Sequence, residues 1–395
     1  MQKSCVFMGS TPCNAFFFMR LENAFLLAEQ GMEIELVSDF DGIEKDLLMW
    51  CRFKGEEFVG KLLLSQKAEA KGRFLYLMRK KSPTRFQKFH TQHIAPAAHG
   101  LAPRDVQVEL ASPEYHFTYT HDDEIWSEKM EQIYEEAKKH QWNATSDISW
   151  QDMPHFSPEL EFAIAQIMTY LTENEFSALY IPSRFLGQIS PFFTPLPLLL
   201  SSIIGDESRH IESFIKRANV TGLGVQYSTR TTQQSLYSLW NTKDYFTSSF
   251  LLHIMGEGTF IDLLRFLEES FRLIGDEASA QLLFLARTDE ARHVAYGMSN
   301  VKHTLAQNPA KISMLKDVVF ARKHYLDSQS TESSLLLESM AILRGGGYAR
   351  MAQGFEMVLE LKKKMEKNRA KRLVECGIDE DLAWDLSKAH TPNFM

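Results

Sequence analysis

Apolar residues follow two different spacings along this chain. Over the first 80 residues they come in short runs. Residues 3–8 predict a strand, and Asn14 to Gln30 keeps a helical spacing that stops at Gly31. Met32 to Ser38 alternates apolar and polar residues, as a half-buried strand does. Asp41 to Phe53 predicts a second helix ending near Gly55, and residues 57–65 and 72–79 predict two further strands joined by a turn. The order βαβαββ predicts a small two-layer α/β domain over residues 1–80. From Lys80 to Ser157 the periodicity fades. Ser82-Pro83, Ala95-Pro96 and Ala102-Pro103 interrupt it, and only Asp122 to His140 predicts a helix. Residues 81–157 are read as a linker and packing segment, with Trp142 and Trp150 as packing anchors. Residues 158–395 return to helical spacing. Long helices are predicted from about Glu159 to Ile181 and from about Tyr245 to Leu273. More follow after Leu305, with a break at Gly345-Gly346-Gly347 where Gly346 serves as a hinge or as a turn.

Two of the helical runs nearly repeat one another. Asp206-Glu207-Ser208-Arg209-His210 and Asp289-Glu290-Ala291-Arg292-His293 both read Asp-Glu-x-Arg-His. A Glu and a His three residues apart lie on one helix face, one turn apart, so both can point at one metal ion. Helix bundles that hold two metal ions take a further Glu from each of the other two helices. Glu175 precedes Glu207 by 207 − 175 = 32 residues, and Glu257 precedes Glu290 by 290 − 257 = 33. Each gap fits half a helix, a turn and half of the next helix. Glu173 is the alternative to Glu175, but two residues along a helix turn about 200°, so only one of them can serve. The repeats sit among apolar neighbours, where burying carboxylates without a cation costs roughly several kcal/mol per ion. The expected ligands are therefore Glu175, Glu207, His210, Glu257, Glu290 and His293.

The rest of each repeat suits a supporting role. A ligating imidazole needs its other nitrogen held by an acceptor. Asp206 and Asp289 can provide this by reaching across to the His of the opposite repeat. Arg209 and Arg292 can pair with those aspartates. Carboxylate-rich ligation with imidazole suits iron or manganese, and open positions suited to dioxygen favour iron. His253, one turn before Glu257, is expected to be an ordinary helix histidine or an added polar group in the cavity.

These residues resemble a known superfamily. Arg287-Thr288-Asp289-Glu290-Ala291-Arg292-His293-Val294-Ala295-Tyr296-Gly297 is similar to the fourth-helix motif of bacterial multicomponent monooxygenase hydroxylases. Asn174-Glu175-Phe176-Ser177-Ala178 resembles their first ligand helix, and Gly256-Glu257-Gly258-Thr259-Phe260 their third. The resemblance covers about Pro158 to Leu305 and implies a ferritin-like diiron carboxylate bundle with flanking helices. It also implies two iron ions and dioxygen as co-substrate. Three positions depart from the patterns of its branches. Ile261 stands where the hydroxylases carry a threonine, and Thr259 should face elsewhere. Phe214 stands where ribonucleotide reductase small subunits carry the radical tyrosine. Ala286 stands where arylamine N-oxygenases carry a third histidine.

The first 80 residues resemble the TusA-like sulfur-carrier family, through Gly31-Met32-Glu33-Ile34-Glu35-Leu36-Val37, Lys45-Asp46-Leu47, Trp50-Cys51 and Gly55-Glu56-Glu57-Phe58-Val59. The resemblance implies that Cys13 carries sulfur at the start of the first helix, where free N–H groups favour a thiolate. The family's two prolines after that cysteine are absent here, where the chain reads Cys13-Asn14-Ala15-Phe16. A docking module that keeps the fold without the chemistry is the competing reading.

Composition narrows the setting. At 44% hydrophobic and 24% charged residues the chain is an ordinary globular protein. A net charge of −8 argues against nonspecific binding to nucleic acid or an anionic membrane. No apolar stretch approaches the ~20 residues of a membrane span. The start lacks the apolar run of a secretory signal, and the four cysteines show no metal-ligand spacing. A cytoplasmic protein, assembled as a homo-oligomer, is expected. The basic run from Lys362 to Arg372 is read as a solvated helix face. The expected function is oxygen-dependent oxidation of a small or carrier-bound organic substrate: hydroxylation first, desaturation or N-oxidation otherwise. Electrons would come from a reductase or ferredoxin, and a sulfur-relay protein is a possible partner. A ferroxidase and a sulfur-relay scaffold are the alternatives.

Overall fold

The computed structural model describes residues 3–63, 73–82, 97, 98, 100–104, 106, 108, 112–329 and 334–390. Residues 64, 65 and 72 of the predicted strands, with Pro83, Ala95 and Pro96 of the predicted linker, lie outside that set. The chain divides into two compact units, residues 1–116 and 117–395.

The first unit runs β1 (Lys3–Gly9), α1 (Ala15–Leu27), β2 (Glu33–Ser38), α2 (Glu44–Lys54), β3 (Glu57–Leu63) and β4 (Phe74–Arg79). The sheet order is β1-β2-β4-β3, with β1 parallel to β2 and the other pairs antiparallel. Phe17, Leu21 and Phe25 repeat every four residues along α1 and make one apolar stripe. They share a single core with Leu47 and Cys51 of α2, Ile34 and Leu36 of β2, and Tyr76 and Met78 of β4. Both helices therefore cover the same face of the sheet, which gives the two layers expected from the βαβαββ order.

The second unit is helical. It contains α3 (Met130–Lys139), α4 (Pro158–Leu186), α5 (Pro195–Val220), α6 (Arg230–Trp240) and α7 (Tyr245–Ser249). A π-helical segment (Phe250–Glu257) leads into α8 (Gly258–Leu273) and α9 (Glu277–Gln307). Then come α10 (Ile312–Gln329), α11 (Ser334–Gly345), α12 (Met351–Glu375) and α13 (Glu380–His390). The helix predicted over 122–140 begins only at Met130, because Asp122 to Trp126 closes a separate turn through the Trp126 amide and the Asp122 carbonyl at 3.0 Å. The helix predicted over 245–273 is continuous, but its middle eight residues take the wider π winding.

Four of these helices make the bundle. α4 packs along α5, α9 packs along α8 and the π segment, and α5 meets α9. Their inward stripes are apolar and buried: Ile164, Met168 and Leu171 of α4, Leu199, Leu200 and Ile203 of α5, and Leu282, Leu283 and Ala286 of α9. Two helices bring one inward Glu each, and two bring a Glu-x-x-His, which is the ferritin-like arrangement. Flanking helices complete the unit, with α11 against α4 and α12 against α8 and α11. The glycine break after α11 is a helix cap. Gly346 takes φ 66°, its amide donates to Leu343 O at 3.0 Å, and the Gly347 amide donates to Ile342 O at 2.9 Å. That reciprocal closure makes it a turn.

Candidate metal centre

Glu175 lies on α4, Glu207 and His210 on α5, Glu257 at the end of the π segment, and Glu290 and His293 on α9. All six are buried to within 2% exposure. They form two groups in which one ligand atom from each residue lies within 4.8 Å of the others. One group is Glu175, Glu207, His210 and Glu290; the second is Glu207, Glu257, Glu290 and His293. Glu207 and Glu290 belong to both. Glu207 turns Oε2 to His210 Nδ1 at 3.4 Å and Oε1 to His293 Nδ1 at 3.0 Å. Glu290 turns Oε1 to His210 Nδ1 and Oε2 to His293 Nδ1, each at 3.5 Å. Glu175 and Glu257 stand at opposite ends, 3.7 Å from His210 Nδ1 and 4.0 Å from His293 Nδ1. Two carboxylates span the two groups and one closes each end.

The aspartates reach across the bundle. His210 Nε2 donates to Asp289 Oδ2 at 3.1 Å, and His293 Nε2 donates to Asp206 Oδ2 at 3.2 Å. Each imidazole is thereby turned so that Nδ1 faces the carboxylates. Arg209 pairs with Asp206, and Arg292 with Asp289; each also reaches the other aspartate, at 3.5 and 3.4 Å respectively. Burial by itself would raise the Asp289 carboxyl, but His210, Arg292 and Trp142 hold it well below the usual carboxylate range.

The fit to metal ions rests on the atoms left over. Both imidazole Nδ1 atoms, both oxygens of Glu207, both of Glu290, and Oε1 of Glu175 and Glu257 are buried without a hydrogen-bond partner. Buried polar atoms are almost always satisfied, and leaving one unmade costs about 1–3 kcal/mol, more for a charged group. Here the unsatisfied atoms all face one another. Burial pushes Glu175 well above the usual carboxylate range and the neighbouring Glu207 adds to this; burial and Glu290 do the same to Glu257. Burial opposes charge on His210 and His293, yet the surrounding carboxylates raise both well above the usual imidazole range. Positive charge between the groups resolves all of these conflicts together. The donor set of oxygen and imidazole nitrogen, without thiolate, suits iron or manganese.

The neighbouring positions fall as follows. Glu173 is turned away, its Oε1 accepting from Gln233 Nε2 at 2.8 Å. Thr259 also faces elsewhere: its hydroxyl donates to Met255 O at 2.6 Å and accepts from Arg369 at 2.9 Å. Arg369 corrects the reading of the basic run as a solvated face, because it is only 1% exposed and also donates to Ser387. Phe214 is buried with its ring 6.3 Å from that of His210. Ile261 is half-buried, and Ala286 is buried.

Sequence reasoning missed three contacts. Trp142 is more than a packing anchor: its Nε1 donates to Asp289 Oδ2 at 2.7 Å, and its ring stacks on His210 at 6.2 Å. Tyr245 and Tyr296, both buried, join hydroxyl to hydroxyl. His253 lies 2.7 Å from Glu257 Oε2 through Nδ1, and burial, with His293 beside it, lowers its pKa to about 3. Its four-residue spacing from Glu257 was visible, but nothing in the sequence fixes which way the ring turns.

Cys13, in the first unit, does not sit where a thiolate is favoured. Asn14 caps α1, its side-chain oxygen accepting from the Phe16 and Phe17 amides at 3.0 and 3.2 Å. Cys13 precedes that cap, and burial raises its thiol pKa, with Asp46 raising it further. The expected thiolate is corrected: Asn14 takes the helix amides, and the charge nearest the sulfur is negative.

No family model matches the chain, and no curated protein matches it. Solved structures do. One is an R2-like ligand-binding oxidase variant with an aerobically reconstituted Mn/Fe cofactor, 14% identical, covering 66% of this chain and 94% of that one at a TM-score of 0.47. A second variant, with an aerobically reconstituted Fe/Fe cofactor, is 14% identical over the same shares at a TM-score of 0.49. A third, with an anaerobically reconstituted Mn/Fe cofactor, is 14% identical, covering 65% of this chain and 95% of that one at a TM-score of 0.48.

Proposed function

We propose that the protein is a dimetal oxidase that uses dioxygen to oxidise a small or carrier-bound organic substrate. The observation that carries this reading is the set of buried, unpartnered ligand atoms on Glu175, Glu207, His210, Glu257, Glu290 and His293. Two iron ions, or iron with manganese, would supply the electrons that reduce dioxygen. The chain supplies the rest. Glu207 and Glu290 hold the two positions at a fixed separation, and Glu175 and Glu257 close the ends. Asp206 and Asp289 keep each imidazole in the tautomer that carries its proton on Nε2. Phe214, Phe250, Ile254, Phe260 and Leu283 are buried around the same helices, an apolar setting that keeps bulk water out. Hydroxylation leads desaturation and N-oxidation because the motifs of α4, the π segment and α9 resemble those of the hydroxylases. No dinucleotide-binding motif is visible in the sequence, so a separate reductase or ferredoxin delivers the electrons.

The test is anaerobic loading with ferrous iron, then mixing with dioxygen under stopped-flow absorbance. A rapid optical change, with oxygen consumed in proportion to bound iron, is expected. A loaded protein that leaves dioxygen untouched would sink the reading.

A further inference from the structure

The two halves of the bundle match at every ligand but differ around His210, where Trp142 stacks, and around Glu257. On the α4–α5 side, the residue four before the end carboxylate Glu175 is Leu171, and the residue four after His210 is Phe214; both are fully buried. On the opposite side the corresponding residues are His253, four before Glu257, and Gly297, four after His293. A leucine and a phenylalanine on one side thus face a histidine and a glycine on the other. A Cβ built on Gly297 would lie 2.6 Å from His253 Cβ, so any larger residue there would displace the histidine. Gly297 leaves room for the Cβ of residue 253 at this close approach of the π segment and α9. The Tyr296 ring, 5.5 Å away and edge-on, fixes the plane of the imidazole.

In that position His253 meets Glu257 Oε2 at 2.7 Å, while Oε1 points into the metal-facing group without a partner. At the matching position before Glu175, Leu171 carries no polar atom. A carboxylate that binds a metal ion carries no proton, so the hydrogen bond must run from His253 Nδ1–H to Glu257 Oε2. A carboxylate whose second oxygen accepts a hydrogen bond is already turned toward the cation, so less is lost in orienting it when an ion binds. Outer partners of this kind strengthen metal binding, and losing one typically costs roughly 10–100-fold in affinity.

We propose that His253 is a positioning residue that makes the two metal positions unequal. It holds Glu257 with Oε1 toward the metal-facing group, so the position of Glu257 and His293 binds its ion more tightly than the position of Glu175 and His210. This rests on the dimetal reading and adds an order of filling to it. An ion enters the Glu257 side first, and the Glu175 side keeps the looser, more exchangeable ion.

The experiment is an anaerobic titration of the metal-free full chain with cobalt(II), followed through the visible d–d bands, which report occupancy and coordination without turnover. Wild type is expected to fill in two steps separated by roughly tenfold or more in affinity. In His253→Leu, which copies Leu171, the first step weakens and the two merge. His253→Asn places an amide N–H where Nδ1–H was and keeps the steps apart. His253→Ala, which cannot clash with its surroundings, gives the same reading as leucine if His253→Leu fails to fold. A single step in wild type, or wild-type separation persisting in the donor-free variants, overturns the inference while leaving the metal centre in place. Wild type that binds no cobalt(II) overturns the dimetal reading itself.

Discussion

At the scale of single residues, the balance of charge inside the helical unit decides what each ionisable group can do. The centre concentrates unpaired carboxylate and imidazole atoms where only cations can satisfy them. His390 shows the opposite case. It is 3% exposed, and its Nδ1 accepts from Arg322 at 3.2 Å. Burial first, then the charges of Arg369 and Arg322, hold its pKa well below the ordinary histidine range. The sign follows directly. As pH falls below the ordinary value of about 6.5, the unfolded chain takes up a proton that native His390 does not, so stability drops. The contribution is fully present above that value and lost toward acid. Urea midpoints measured between about pH 7 and pH 5 should fall more steeply for wild type than for His390→Gln. Equal slopes would show that His390 is not held neutral.

At the scale of elements, the two Glu-x-x-His helices are pinned to each other away from the centre. Arg217 of α5 is fully buried and donates to Asp276 Oδ2 at 2.8 Å and to Ser279 Oγ at 2.5 Å. Asp276 is also the N-cap of α9, its Oδ1 accepting from the Ser279 amide at 2.8 Å. Asp276→Ala removes the cap and strands a buried guanidinium, which should cost about 3–5 kcal/mol. Asp276→Asn keeps an oxygen for the cap and should cost less. Chemical denaturation of the two variants separates the terms: Asp276→Asn reports the lost charge and the further loss in Asp276→Ala reports the cap, so equal losses would show that the cap contributes nothing. The helices themselves were legible in the sequence. Apolar residues at helical spacing mark α4, α5, α8 and α9, and the paired Asp-Glu-x-Arg-His motifs place their inward faces. The π winding of Phe250–Glu257 was not legible, because all eight residues are buried and no polar face remains to reveal the period. Arg369 was misread for a related reason. It lies among lysines that do face water, and the seryl and threonyl partners that accept its hydrogens come from other helices, α13 and α8. Trp142 stands 147 residues from Asp289, so their contact appears only once the chain is folded.

At the scale of the whole molecule, the residues of the centre come from four segments of one helical unit, and every support described for them lies in that unit as well. Three levels agree there. The repeated motif puts carboxylate and imidazole on one helix face, the bundle brings four such faces together, and the buried atoms left unsatisfied face one another. The first unit agrees with its expected βαβαββ layout, but its fold does not give Cys13 the surroundings of a reactive thiolate. The claim on which the rest depends is that the helical unit holds a pair of metal ions. Its most direct test is the metal content of protein purified from iron-fed cells, measured beside His210→Ala and His293→Ala. About two iron ions per chain are expected in wild type, with a clear loss in each variant because each removes one imidazole. Metal-free wild type, or iron content unchanged in both variants, would contradict the account.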